Sequence, residues 1–483
     1  MRAKVIAIAL AGLATLTSAA YNADRVQALP FCGPLPTSWY SGYLKVTDTK
    51  SLHYVYVESQ GNVTGDPVVI WLNGGPGCSS MLGAFSENGP FVFDDGESVI
   101  KPNPYSWNQR ANLLYIESPA HVGFSMGGPN DWNFTDMTQS VDLFAAVQQF
   151  YVKFPERLPN PLWISGESYA GIYGPFLAWN IHNWNNEAAW TNQTVYNFKG
   201  FAIGNGITDW HFDAQPATYE AYREFNLIPP ELLDLFGQFN CTYDVATNPV
   251  NDPRCAQFED RVSKLISGLN PYDVYRTTYG LGSSSSHVKR NLEQRPTHGE
   301  SVVNGEVKRY QRGVRLEQYT PWLKEHLLFK EAASKISFGD PMGDYLNRAD
   351  VRAALNIPQS VQAWEGCTTN PLFNYPFTRE ASIWIYTILQ RYGYTLMHYS
   401  GDTDGVVPTI GTRRWIESLK WPVSSAWQPW TTDGQVSGYT VTYANNFYFT
   451  TIHGVGHMAP QWKRKDTQLM ILKFFHGEDF ITN

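Results

Sequence analysis

Residues 162–164 (Leu-Trp-Ile) run within two positions into Gly166-Glu-Ser168-Tyr-Ala170-Gly171. An apolar stripe of Ile172, Tyr173, Phe176, Leu177 and Ile181 then follows at helical spacing. This is a strand, a tight turn and a helix, with a serine at the bend. Small neighbours let the backbone turn sharply, so the hydroxyl is presented at the end of a strand. A chain that contains this unit is committed to a largely parallel sheet covered by helices. The helix N-terminus also favours negative charge beside Ser168. Ala170 stands where glycine is usual in this turn but keeps the bend uncrowded, and Gly174-Pro175 is expected to kink the helix.

The rest of the chain keeps the same rhythm. Residues 43–72 alternate apolar and polar before the apolar run 68–72, an antiparallel start that leads into a buried central strand. Short strands are expected at 113–116, 394–399 and 446–452. Leu143, Phe144, Val147, Phe150 and Tyr151 mark a helix closed by Pro155, and 467–475 reads as a final helix. The length of 483 residues suggests about three domains, but one large α/β fold carrying an insertion also uses it all. We expect an α/β-hydrolase fold with a mostly helical cap: residues 21–210 as the first part of the core, 211–335 as the insertion and 336–483 as the second part. Within the cap, residues 283–318 are Ser-rich and then basic, with Lys289, Arg290, Arg295, Lys308, Arg309, Arg312 and Arg315 against four glutamates. They read as a solvated loop, and their dibasic pairs offer a processing site.

A serine nucleophile needs a base and a group that orients the base. In α/β-hydrolases the chain order is Ser, then Asp or Glu, then His. Downstream, Gly401-Asp402-Thr-Asp404 offers two acids and His453-Gly-Val-Gly-His457 offers two imidazoles, each after a strand. Spacing does not choose within either pair. An oxyanion site wants backbone N–H groups that approach closely, and Asn73-Gly-Gly75-Pro-Gly77-Cys78-Ser-Ser80 follows the run 68–72 as such a loop should. A phosphate-binding loop would need a Walker lysine, which is missing. A literal G-x-S-x-G at Gly123-Phe-Ser125-Met-Gly127 is rejected, because Gly128-Pro129-Asn130 forbids a following helix.

Trp71-Leu-Asn-Gly-Gly-Pro-Gly-Cys-Ser-Ser80, Gly166-Glu-Ser-Tyr-Ala-Gly171, Gly401-Asp-Thr-Asp404 and Gly456-His-Met458 together resemble the serine carboxypeptidase family, of the cathepsin A and carboxypeptidase Y type. Asn103-Pro-Tyr-Ser-Trp107, Gly123-Phe-Ser125, Gly204-Asn-Gly206 and Tyr345-Leu-Asn347 extend the similarity over nearly the whole chain. The resemblance implies Ser168 as nucleophile, Asp404 as acid and His457 as base. It implies Gly75 and Tyr169 N–H groups as the oxyanion hole, and Trp71, Asn73, Glu87 and Glu167 as the binders of a free C-terminal carboxylate. It also implies disulfides Cys78–Cys367 and Cys241–Cys255, leaving Cys32 over. Ala120-His121 departs from the Pro-Val type sequence usual there. The expected activity is hydrolysis of the last peptide bond at acidic pH, with neither cofactor nor metal. An acyltransferase and a non-catalytic stabilising partner of lysosomal hydrolases are the alternatives.

The ends and charges suit that compartment. Arg2 and Lys4, an apolar run and Ala19-Ala20 describe a signal peptide over residues 1–20, too short to span a bilayer. No later run is of spanning length, so no membrane association is expected after cleavage. The expected location is the secretory pathway, ending in a lysosome or vacuole or outside the cell. Asn62, Asn133, Asn192 and Asn240 begin N-glycosylation tripeptides. In an oxidising compartment most of the five cysteines should pair, and Cys241 and Cys255 are close enough in sequence to close a local loop. A net charge of −8 lacks the basic footprint of a nucleic-acid binder. Peptide or protein substrates with a free C-terminus are the expected partners, and oligomers are possible.

Overall fold

The computed structural model describes residues 22–213, 215–239, 241, 253–278, 298–303, 306–311, 340–377 and 381–481. The segment expected to be the signal peptide, most of the basic loop and Asn240 lie outside these residues.

One sheet organises the chain. Its strands are β1 (Arg25–Val26), β2 (Trp39–Lys45), β3 (Ser51–Val57), β4 (Val68–Leu72), β5 (Asn112–Ile116) and β6 (Leu162–Glu167), then β7 (Phe198–Gly204), β8 (Thr395–Gly401), β9 (Val423–Thr432), β10 (Gln435–Tyr443) and β11 (Phe447–Ile452). In space the order is β1-β2-β3-β5-β4-β6-β7-β8-β11-β10-β9. The run from β5 to β11 is parallel, and the flanks at both edges are antiparallel. This is the doubly covered sheet that the apolar runs demand. Along β4 the side chains alternate, with Val68, Ile70 and Leu72 in one core and Val69 and Trp71 in the other. All five are at most 1% exposed, and full burial stabilises by about 1.5–3 kcal/mol for each aliphatic one.

Helices α1 (Asp136–Lys153) and α2 (Ala170–Thr191) cover the first face. Thr135 and Thr138 form a reciprocal capping box at the start of α1, and Asp136 and Lys153 sit at the ends that suit its dipole. The helix stops at Phe154, before Pro155. The second helix runs unbroken through Pro175. Between β7 and β8 lie α3 (Gln215–Glu224), α4 (Pro230–Gln238) and α5 (Pro253–Ile266), which share a small separate core. Tyr219, Phe236 and Phe258 pack there beside the Cys241–Cys255 disulfide. The first face is completed by α6 (Ile383–Arg391) and α7 (Thr409–Ser418), and α8 (Arg464–Phe475) packs on the second.

One hairpin departs from the sequence reading, and a second lies where that reading assigned no element. The stretch read as a solvated loop contains paired strands His298–Val303 and Glu306–Gln311. The signal was Asn304-Gly305 between them, a dipeptide suited to a two-residue hairpin turn. At the sheet edge, β9 and β10 flank Asp433-Gly434, a signal of the same kind.

Candidate active site

The loops after β4, β6, β7, β8 and β11 all leave the same end of the parallel sheet, where ligand sites of open α/β sheets lie. Every group in the site comes from one of these loops or from a segment packed on them.

Ser168 sits between β6 and α2 with φ +63°. A non-glycine residue in that region stores of order 1–3 kcal/mol and persists only if neighbours enforce it. Here they do. Its N–H donates to the Gly204 carbonyl at 3.1 Å, and its carbonyl accepts from Gly171 at 2.9 Å and Ile207 at 3.0 Å. A Cβ on Gly166 would stand 2.3 Å from the Leu72 carbonyl oxygen, which is why the residue two before the serine must be bare. Ser168 is half-buried and so reaches solvent.

Both acids and both imidazoles form pairs. Asp404 Oδ2 accepts from His457 Nδ1 at 2.6 Å, and both side chains are at most 2% exposed. Asp402 Oδ2 meets His453 Nδ1 at 2.7 Å, but on the surface, where the histidine is 64% exposed. The carboxylate on Nδ1 fixes the His457 tautomer, so Nε2 presents its lone pair. Among the described residues that nitrogen, which is buried, has no hydrogen-bond partner. Asp404 also accepts from Asn205 Nδ2 at 2.9 Å and from the Val406 N–H at 2.7 Å. The β7 loop therefore ties the two halves of the site together, since Gly204 holds the Ser168 N–H while Asn205 holds Asp404.

The segment after α5 braces the imidazole. The Tyr272 carbonyl accepts the His457 N–H at 2.6 Å, and its ring lies 5.2 Å from the imidazole. Asp273 takes Thr403 Oγ1 at 2.8 Å and the Gly456 N–H at 3.2 Å. One residue, Asp273, thus fixes the loops of both Asp404 and His457.

The glycine loop lies against the elbow. A Cβ on Gly74 would come within 2.4 Å of the Tyr169 nitrogen and 2.7 Å of Ser168 Cβ. Among the described residues, neither the Gly75 nor the Tyr169 N–H has a backbone acceptor. Cys78 is bonded to Cys367, and Ser79 donates to Glu117. Glu117 also receives Trp364 Nε1 at 3.0 Å, the Phe124 N–H at 2.8 Å and His53 Nδ1 at 2.8 Å. This buried carboxylate is the fixed post behind the loop.

Beside the serine is a pair of buried carboxyls. A single turn of π-helix, Gly83–Glu87, carries Glu87, and Glu167 immediately precedes Ser168. Asn73 Nδ2 donates to Oε1 of both at 3.0 Å. Its own oxygen accepts from Trp71 Nε1 at 2.8 Å and the Gly83 N–H at 2.9 Å, which fixes the amide orientation. Trp71 is therefore spent on Asn73. It is buried edge-on to Trp107 and offers no donor to a ligand, unlike the expectation that it binds a carboxylate. Burial pushes the Glu87 carboxyl up to about 7, and burial plus the neighbouring Glu87 charge pushes Glu167 well above the carboxylate range. Asn73 tethers the two carboxyls through their Oε1 atoms, and among the described residues the Oε2 of each is buried without a hydrogen-bond partner, an environment that favours a proton retained by the pair. A raised carboxyl stabilises the fold at acidic pH, and that contribution is lost as pH rises through about 7.

The rejected serine has another task. Ser125 is fully buried, donates to the Glu117 carbonyl at 2.6 Å and accepts the His53 N–H at 2.8 Å. Cys32 is free and buried beside the Tyr345 hydroxyl. Asn62, Asn133 and Asn192 are exposed. Asn205, Tyr272, Asp273 and Glu117 received no role from the sequence. Only Asn205 carried a signal there, inside Gly204-Asn-Gly206.

A family model described as serine carboxypeptidase matches residues 30–477. "Serine carboxypeptidase-like 21" of Arabidopsis thaliana is 32% identical over 99% of this chain and 99% of its own. "Serine carboxypeptidase 1" of Hordeum vulgare is 33% identical over 95% and 94%. "Lysosomal protective protein" of Mus musculus is 31% identical over 99% and 98%. Among solved structures, a prohormone-processing carboxypeptidase from Saccharomyces cerevisiae superposes with a TM-score of 0.69 over 95% of this chain and 96% of that one, at 20% identity, a likeness of fold.

Proposed function

The chain belongs to the serine carboxypeptidase family and is a serine-type carboxypeptidase; from this premise we propose that Ser168, His457 and Asp404 release the last residue of a peptide through an acyl-enzyme, at acidic pH. The observation that carries this reading is the carboxyl pair Glu87–Glu167, held by Asn73 one residue from the serine.

The Ser168 hydroxyl attacks the last peptide carbonyl and its proton passes to His457 Nε2. Asp404 stabilises the imidazolium through Nδ1. The oxyanion forms against the Gly75 and Tyr169 N–H groups, with the N-terminus of α2 adding positive potential. When the C–N bond breaks, His457 returns the proton to the departing amine, and a free amino acid leaves. Water, deprotonated by the same imidazole, then frees the shortened peptide and restores the serine. Asn73, Glu87 and Glu167 hold the substrate's free carboxylate, and Trp71 keeps Asn73 in place. The shared proton is the donor that makes this favourable, because a carboxylate meeting two ionised glutamates is repelled.

The sign follows. Below the raised titration of the pair the proton is present and substrate binds; above it the donor becomes a charge and binding is lost. With an N-blocked dipeptide, we expect a free amino acid as product and no turnover of the C-terminal amide at acidic pH. KM should rise about tenfold or more between about pH 5 and about pH 8, with a smaller change in kcat. A KM flat across that range contradicts the role of the pair.

The proposed setting is the secretory route, ending in an acidic organelle or outside the cell. Two disulfides and three exposed N-glycosylation asparagines support it. Among the described residues no helix is long and apolar enough to cross a membrane.

A further inference from the structure

The segment that follows β11 carries more than the base. Seven residues beyond His457, at the start of α8, Arg464 turns back beneath the π-turn that holds Glu87. Its Nη2 donates to the Ser86 carbonyl at 2.9 Å, one residue from Glu87, and its Nη1 meets Asp94 Oδ1 at 2.6 Å. The guanidinium is mostly buried, with its side chain 16% exposed, so water screens it weakly. Asp94 is itself shared with Lys101, which binds it from the surface side.

Glu87 is faced by Glu167 across the site, by Tyr115 of β5 and Tyr399 of β8, and by His457 and Arg464 of the one segment. Glu167 is faced in addition by Asp404 and Tyr272. In this set Arg464 is the permanent cation. Burial makes the pair keep its proton, and a fixed positive charge behind Glu87 opposes that by favouring the ionised form. Nothing in the catalytic steps requires Arg464, yet its position gives it leverage over the proton that substrate binding needs.

We infer that Arg464 is a positioning residue for the reaction: anchored to Ser86 and Asp94, it lowers the pH at which the carboxyl pair ionises and the enzyme releases its hold on the C-terminus of a peptide. The inference rests on the carboxylate-binding role proposed above for Glu87 and Glu167. Arg464 thereby keeps the working range acidic, and Asp94 moderates it by offsetting part of the charge.

The test is the KM–pH profile of the whole enzyme on an N-blocked dipeptide, for wild type, Arg464→Gln, Arg464→Lys and Asp94→Asn. Active-site titration with an organophosphonate normalises each to folded, competent protein. Glutamine keeps a donor for the Ser86 carbonyl but loses the charge, so the rise in KM should move to higher pH by about half a unit or more. Lysine keeps the charge and should leave the rise near its wild-type position. Asp94→Asn removes the moderating charge and should move the rise to lower pH. Opposite directions for the two neutralising variants are a result that a merely structural role does not produce. Coincident profiles, or shifts of the same sign, overturn the inference. If Arg464→Gln does not fold, the direction of the Asp94→Asn shift decides alone. A wild-type profile that is already flat overturns the carboxyl-pair reading and this one with it, whereas a wild-type rise that neither variant moves overturns this one only.

Discussion

Replacing Ser168 by alanine should lower kcat on an N-blocked dipeptide by about 10⁵-fold or more and leave the melting temperature within a few degrees of wild type. Both parts follow from the elbow. The bend is held by backbone hydrogen bonds to Gly204, Gly171 and Ile207 and by the close approach of Gly166 to Leu72, none of which uses the hydroxyl. The side chain contributes the attacking oxygen and little to the fold. Ser125→Ala is the control with the reverse profile. It removes a buried hydroxyl that links Glu117 to the His53 N–H, so it should cost about 1–3 kcal/mol of stability and leave kcat within a few-fold. Loss of activity in Ser125→Ala without unfolding, or its retention in Ser168→Ala, would reverse the assignment of the two serines.

The second large effect separates two Asp–His pairs that look alike in the sequence. Asp404→Asn should lower kcat by about 10⁴-fold, while Asp402→Asn should change it by a few-fold at most. Asp404 Oδ2 receives two donors, His457 Nδ1 and Asn205 Nδ2. The Val406 N–H on Oδ1 orients an amide at 404 with its oxygen towards Val406, which sets the NH₂ against both donors at the Oδ2 position and favours the histidine tautomer whose Nε2 already carries a proton. In that orientation the base loses its lone pair towards the serine. Asp402 and His453 meet where water replaces any lost contact, and an exposed pair contributes little. The kcat of the two asparagine variants, measured side by side with their circular dichroism, decides between the pairs.

How much of this is legible in the text depends on the range of the forces involved. The serine turn and the glycine loop are local: small residues, a preceding strand and a following helix lie within a few positions, so Ser168 and residues 73–80 announce themselves. Choosing Asp404 over Asp402 and His457 over His453 is a matter of burial. Burial here is decided by Tyr272 and Asp273, which arrive from well over a hundred residues away in the chain. No periodicity encodes that docking. Trp71 shows the opposite failure, because a residue inside a highly specific block need not touch substrate, and its indole is spent on Asn73. The hairpin at 298–311 is hidden for a plainer reason: a polar, charged composition reads as solvated, and the one local signal against it is the Asn304-Gly305 dipeptide. Glu117 and Arg464 are invisible in sequence because each acts through a carbonyl, a hydroxyl or a turn belonging to another element.

The central claim is that one hydroxyl, at the strained bend after β6, is made nucleophilic by the buried His457–Asp404 pair. Its most direct measurement is covalent trapping: the folded protein is treated with one equivalent of an organophosphonate at acidic pH, then digested and sequenced by mass spectrometry. The structure predicts a single adduct on Ser168, loss of carboxypeptidase activity in proportion to its formation, and no adduct in a His457→Ala variant over the same time. An adduct on any other residue, or full peptidase activity in protein whose Ser168 is stoichiometrically modified, would contradict it.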